Sequence, residues 1–266
     1  MEEVQKNITT KKQKKGKSRI HFWVMIPIVI GLITLFVYAQ QWKSHLVVQR
    51  VIVDGANHLQ AREVVDISTI KPQALISKID IHEIEEKLLS YPLVKTAKVE
   101  SQLPDAMRIT ITEREPFAVV SGKPLLYVDS EGVLLPRLAA LQFDLPLVSG
   151  IEGLDSLQLG RQIPRPEMFL AIAVLKQALS VGWYHDISEI KVGNDGEIML
   201  FSMDSGVPIF IGKSDIANKL QRLQTFWKNY VKDGTAAQLR YLDLRFDGQV
   251  VVKWDRPKDQ ITRIPL

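Results

Sequence analysis

The chain has 266 residues, 46% hydrophobic and 24% charged, a balance of packed domains that excludes a disordered chain. Its net charge of +4 is local: residues 1–19 hold seven basic and two acidic side chains and the remainder is close to neutral, so the basic balance is no argument for a nucleic-acid surface. Cysteine is absent, which excludes disulfides, a thiol nucleophile and thiolate metal ligation.

Phe22 to Ala39, FWVMIPIVIGLITLFVYA, is a run of eighteen residues without a charge. At ~1.5 Å rise per residue it reaches roughly 27 Å, near the ~30 Å thickness of bilayer hydrocarbon. Pro27 and Gly31 are tolerated in such helices. Trp23 at one end, and Tyr38 and Trp42 at the other, stand where interfacial aromatic anchors belong. A buried core helix would show a polar face, and a cleaved leader would have a shorter apolar run ending in a small-x-small site, where this chain has Tyr38-Ala39-Gln40. The run therefore reads as an uncleaved transmembrane helix over 22–39. The basic tail, 1–21, is expected in the cytoplasm and everything after the span outside it.

Two folded regions are expected beyond the span. In the first, 46–115, residues 46–54 read as a strand, Gly55-Ala56-Asn57 as a turn and 60–68 as a short helix. Asp80 is an N-cap, with Glu83 three residues on, for a helix whose Ile81, Ile84, Leu88 and Leu89 share one face. Strands follow at 94–101 and 106–113, the second alternating Met107, Ile109 and Ile111 with Arg108, Thr110 and Thr112. Pro116 marks a boundary.

The second region, 117–256, reads as a mostly antiparallel β domain with two helices, and 257–266 as a tail. Short strands are expected at 125–128, 133–135 and 145–148, a helix at 166–181, strands at 187–192, 197–203 and 207–211, and an amphipathic helix at 215–231. Strands at 239–246 and 249–254 flank Asp247-Gly248, a strong hairpin signal. The fold class is α+β.

Chemistry-bearing patterns are sparse. The five histidines make no zinc-type spacing. Gly212-Lys213-Ser214 resembles the end of a phosphate loop, but the glycine required five positions earlier is Val207, and strand exit followed by a helix cap from Ser214 or Asp215 accounts for it. No G-x-S-x-G occurs. Asp129, Glu131, Asp195, Glu197 and Asp204 lie at turns, where Asp stabilises the backbone locally. No catalytic, metal or cofactor site is expected.

The order strand-helix-helix-strand-strand directly after a membrane anchor, carried by VQRVIVDGANHL, LLSYPLVKTAKVE and LPDAMRITITEREPFA, resembles a POTRA domain. The later YVDSEGVLL and YLDLRFDGQVVVKW resemble the second domain of the bacterial FtsQ/DivIB cell-division family, and the likeness spans the whole chain. It implies an essential scaffold of the division machinery in the cell inner membrane at the septum. Such a scaffold is not an enzyme: it links cytoplasmic and periplasmic division proteins and binds the bitopic proteins FtsB and FtsL. Through them it helps control septal peptidoglycan synthesis, with no nucleic acid or small-molecule substrate.

The family's FtsB contact, carried over by position, falls on Phe246, Asp247, Gly248, Gln249 and Trp254, with Val251 between them. The first position is typically Tyr, and Gly248 lacks the hydroxyl of the usual small polar residue. Strand 249–254, read as the last of the fold, is expected at a sheet edge where a partner strand adds, with Val250, Val252 and Trp254 on one face. The alternative is a POTRA-containing envelope transport or assembly component.

Overall fold

The computed structural model describes residues 20–44, 46–122, 125–137, 144–154, 157–193, 195–231, 235–255 and 261–265. Helix α1 spans Ile20–Ser44. Among the described residues no helix is long and apolar enough to cross a membrane. The basic tail up to residue 19 lies outside them, as do the side chains at both ends of the expected 22–39 span.

Two compact units divide the described residues. The smaller holds 20–44, 46–50, 70–79 and 101–107. Here the chain at 46–48 pairs with 73–76 through Val48 N to Ala74 O, Gln73 N to Val48 O and Ile76 N to Leu46 O, each 2.9 Å. The sequence places 46–49 within the first strand; residues 46–48 instead make this separate pairing. Gln49 N also donates to Asp105 O at 2.8 Å, and the exposed Arg50 pairs with the Asp105 carboxylate at 2.9 Å.

The larger unit holds 51–69, 80–100 and 108–265. Its first part carries α2 (Ala61–Ser68), α3 (Ile81–Leu89) and most of β1 (Arg50–Asp54), β2 (Val94–Gln102) and β3 (Ala106–Glu113), whose order in the sheet is β1-β3-β2. On β3 Ile109 and Ile111 are buried as the alternation expects, but of the four residues expected on one face of α3 only Ile84 and Leu88 are buried, while Ile81 and Leu89 are exposed. Asp80 caps α3 by accepting from His82 N and Glu83 N, while Glu83 pairs with Lys87 rather than closing a reciprocal box.

Glu113, at the end of β3, fixes the 55–59 turn. Its carboxylate accepts from the backbone N–H of Asn57, His58 and Leu59 at 2.8–2.9 Å and contacts His58 Nδ1 at 2.9 Å. Gly55 makes the turn possible: its φ is +84°, and a Cβ there would lie 2.0 Å from Ile111 O. At the outer side of the sheet, Glu85 of α3 accepts from Val99 N of β2 at 2.8 Å, satisfying a backbone amide that the ladder leaves over.

The second part is a ten-stranded sheet. In chain order its elements are β4 (Pro116–Val120), β5 (Leu126–Asp129), β6 (Leu134–Leu135), β7 (Leu147–Ser149), α4 (Pro166–Ser180), β8 (Ile187–Val192), β9 (Ile198–Ser202), β10 (Pro208–Gly212), α5 (Ile216–Tyr230), β11 (Leu239–Asp243), β12 (Gln249–Trp254) and β13 (Ile261–Pro265). Spatial order is β13-β12-β11-β10-β9-β8-β7-β4-β5-β6. Most neighbours are antiparallel; β4 with β7, β7 with β8, and β10 with β11 are parallel. One hydrophobic cluster joins Met168, Leu175, Leu220, Leu223 and Phe226 of the helices to Ile190, Ile209, Ile211, Val250 and Val252 of the strands.

Three expectations are corrected. Pro116 opens β4 instead of merely marking a boundary, as proline is accepted at a strand's first residue. Neither Ser214 nor Asp215 caps α5 with its side chain: Asp215 takes a left-handed backbone and accepts from Asn218 instead. Residues 261–265 are a strand, and their register with β12 displaces β12 from the sheet edge.

Candidate partner-binding site

The six residues singled out from the sequence lie on one stretch of backbone, but the structure gives them different environments. β11 and β12 are antiparallel, with Tyr241 opposite Lys253, Leu242 opposite Val252 and Asp243 opposite Val251. β11 was expected to reach Phe246; it stops at Asp243, so a loop of 244–248 replaces the two-residue turn.

Asp243 causes the early exit. Its buried carboxylate accepts from Arg245 N and Nε at 3.0 Å each and from Arg245 Nη2 at 2.7 Å, turning the chain out of the ladder. Leu244 N meanwhile donates to Phe210 O at 2.9 Å, prolonging the contact with β10. Burial alone would push the Asp243 carboxyl up. The Arg245 hydrogen bonds and charge, with the charge of Lys219, outweigh it and hold the group below its ordinary value. The Arg245 guanidinium sits 4.9 Å from the Phe210 ring centroid, and the Phe210 ring meets Tyr241 edge-on at 6.0 Å. From α5, Arg222 Nη1 reaches Phe246 O at 3.4 Å. The loop is thus held from β10, β11 and α5.

What this frame presents is the tip. Phe246 is 49% exposed, a large apolar side chain that the fold leaves in solvent. Asp247 and Gly248 beside it are exposed, and Gly248 has φ +66° with open space where a Cβ would be. Gln249 and Trp254 are half-buried, and Trp254 packs against the core cluster. Val250 and Val252 are wholly buried, in line with the expected alternation, but Val251 is also covered, at 7% exposure. The accessible part of the candidate site is therefore Phe246–Gly248 with parts of Gln249 and Trp254.

The backbone edge of β12 is occupied. β13 runs antiparallel to it, with Val250 opposite Ile264, Val251 opposite Arg263 and Val252 opposite Thr262. Nothing in the sequence marks β13: Ile261-Thr262-Arg263-Ile264 sets two polar residues between two apolar ones, which is not strand alternation, and the stretch follows Pro257 closely.

Three of the turn carboxylates, Asp129, Glu131 and Asp195, are spent on structure. Asp129 accepts from Glu131 N and Val133 N and pairs with Arg114 at 2.6 Å. Glu131 pairs with Lys95 at 2.8 Å and Arg114 at 3.0 Å, which hold its carboxyl below the ordinary range. Asp195 accepts from Glu197 N and pairs with Lys213 at 2.9 Å. A shallow cavity of about 210 Å³ lies beside Arg245, and its charged lining includes Asp195 and Arg245, both paired as described. Among the described residues, no group of three or more His, Asp or Glu side chains is placed to hold a metal ion.

A family model described as "POTRA domain, FtsQ-type" matches residues 46–114, and one described as "FtsQ/DivIB, C-terminal related" matches 115–253. Among similar curated proteins is the cell division protein FtsQ of Salinibacter ruber, 27% identical over 246 residues, which cover 87% of this chain and 92% of that one. The protein of the same name from Rhodothermus marinus is 26% identical over 255 residues, 92% of each chain. That of a Geobacter species is 29% identical over 204 residues, 76% of this chain and 73% of the other.

Proposed function

The chain belongs to the FtsQ/DivIB family of cell division proteins, and from that premise we propose that it is a membrane-anchored scaffold which docks another division protein at residues 246–254. The partners are bitopic proteins of the FtsB and FtsL kind, and their docking helps control septal peptidoglycan synthesis. The folded regions at 46–115 and 117–256 serve as recruitment and docking modules on the periplasmic side of the inner membrane.

The observation that carries this reading is the 246–248 tip. A half-exposed phenylalanine on a loop pinned by a bidentate carboxylate–guanidinium pair is a preorganised apolar anchor, of the kind that dominates interface energies. A partner segment would pair by strand addition along Gln249–Trp254, at the edge that residues 261–265 occupy in this structure.

Anchoring is assigned to α1 on the uncharged run 22–39 of the sequence; its described side chains, Met25 to Tyr38, reach only roughly 21 Å at ~1.5 Å per residue, short of a full crossing. The side chains described from Met25 to Tyr38 are apolar apart from Thr34 and are exposed on every side, and the Thr34 hydroxyl donates back to Gly31 O at 2.9 Å. A helix apolar all round needs an apolar surrounding, and lipid supplies one. The basic tail sets the N-terminus in the cytoplasm. The three relatives bear a cell-division name, which favours this reading over an envelope transport component.

The test pairs capture with localisation. Full-length chain carrying Phe246→Asp or Asp247→Lys is expected to keep its melting temperature and to lose capture of the division partner at least tenfold. Fluorescent wild-type chain is expected as a band at the septum. Undiminished capture by both folded variants contradicts the docking site, and a dispersed envelope signal contradicts the division role.

A further inference from the structure

The β12–β13 pairing bears on how a partner strand reaches the site. The Gln249 amide points back into the hairpin, donating to Phe246 O at 3.4 Å, and the Asp255 amide donates to Gln238 O at 2.6 Å, both on the β11 side. Backbone direction alternates along a strand, so the amides of Val250 and Val252 face the other way, toward β13. With Val250 opposite Ile264 and Val252 opposite Thr262, the hydrogen-bonded pairs of this ladder are 250/264 and 252/262.

The same alternation fixes the outer side of β13. Its outward backbone positions are Ile261, Arg263 and Pro265, and proline has no N–H to offer. A five-residue strand with a cation at its centre and proline at an outward position is an edge guarded against further pairing. Addition to the outside of β13 is therefore disfavoured. β13 itself is bound to the sheet on one side only, through β12. β12 is fixed on its far side by β11, and its Val250 and Val252 are wholly buried in the core cluster.

We propose that residues 261–265 are an internal stand-in for the partner strand: docking on β12 proceeds by displacement of β13, and the two compete for the backbone groups of Val250 and Val252. The competitor is an extended protein segment of about five residues that pairs antiparallel to β12 and passes the Phe246–Gly248 tip near the place Pro265 takes opposite Gln249. β13 thereby raises the threshold for docking and covers a sheet edge that would otherwise invite pairing with any strand.

This inference rests on the strand-addition reading above, and two arms separate their failures. In the first, a fluorescent peptide of the chain's own residues 259–266 is titrated against the full chain and against a chain cut after Asp255. The peptide is expected to bind the cut chain at least tenfold more tightly, and to lose that binding with Ile264→Pro, since the Ile264 amide faces β12. Equal binding to both chains, or none to a cut chain that melts cooperatively, overturns the proposal.

The second arm needs no truncation. Lys253 and Ile261 face each other at a non-hydrogen-bonded pair, where Cα atoms approach to about 4.5 Å, within reach of a disulfide. Because the chain is cysteine-free, Lys253→Cys with Ile261→Cys locks β13 in place on oxidation alone. The locked chain is expected to capture the division partner at least tenfold less than the same chain reduced. Equal capture in both states overturns displacement while leaving the docking site standing; no capture even by the reduced and wild-type chains overturns the docking reading, and the peptide arm then decides the stand-in role alone.

Discussion

The two ends of the ten-stranded sheet are closed in different ways. At one end β6 is only two residues long, Leu134 and Leu135, both wholly buried. Its outer backbone groups are taken by a loop: Leu134 N donates to Arg161 O, Gly160 N to Leu134 O, and Ile163 N to Gly132 O, at 2.8–2.9 Å. The Asp129–Arg114–Glu131–Lys95 cluster closes in beside it, and Gly160 lies so near Pro92 that a Cβ would sit 3.1 Å from Pro92 Cα. At the other end the closure is a short strand joined to the sheet through β12 alone, next to an exposed phenylalanine. One end is sealed by core packing and ion pairs; the other is covered by pairing that a second strand can reproduce. A long sheet must protect both edges, and in this chain the second method leaves an edge that can be reopened.

Substitutions at the two ends should part stability from binding. The largest loss of stability is expected at the sealed end. Leu134→Ala removes a wholly buried side chain from a site with little room to collapse, and should cost about 2–5 kcal/mol by denaturant unfolding, with docking at the far end intact in the folded fraction.

Next is Asp243→Asn, which removes the charge that holds Arg245. Arg245 is half-exposed, so the loss should be about 1–2 kcal/mol at neutral pH. The pH dependence follows in sign. The folded-state pKa of Asp243 is depressed, so its contribution is present above the unfolded value near 3.9 and is lost as pH falls through the lower folded value. The wild-type melting temperature should therefore fall more between pH 7 and pH 3 than that of Asp243→Asn. Equal falls would assign the loop's rigidity to Phe210 and Arg222 instead.

The smallest stability change is expected where the binding change is greatest. Phe246→Asp should alter unfolding by less than about 0.5 kcal/mol, since the ring is half in solvent, while partner capture drops at least tenfold.

Much of the fold is legible in the sequence because its signals are local. The alternation over 106–113, the strand at 187–192 and the Asp80 cap each lie within one element, and the structure agrees with them. What is missed depends on partners far along the chain. Glu113 reads as one member of a charged run, and only the fold brings the amides of 57–59 onto it. β4 hides behind Pro116, whose usual meaning is a break. β13 shows no strand alternation, and its strand character comes from β12 rather than from itself.

For the candidate site, Asp247-Gly248 marks the reversal, but the exposure of Phe246 has no signal in the sequence, which places that residue at the end of a strand. The length of the loop does not show, because the residue that shortens β11 is Asp243, whose role requires Arg245 to fold back onto it. The edge position assigned to β12 fails for the same reason as β13: an edge is a property of the whole sheet, which no local pattern reports.

The most direct test is a photo-crosslinking scan in dividing cells, with the probe placed in turn at each residue from 246 to 254 and, at the sealed end, from 158 to 163. The account predicts crosslinks to a membrane-bound division protein at Phe246 and its exposed neighbours and none at 158–163. Equal crosslinking at both ends, or crosslinks confined to 158–163, would contradict it.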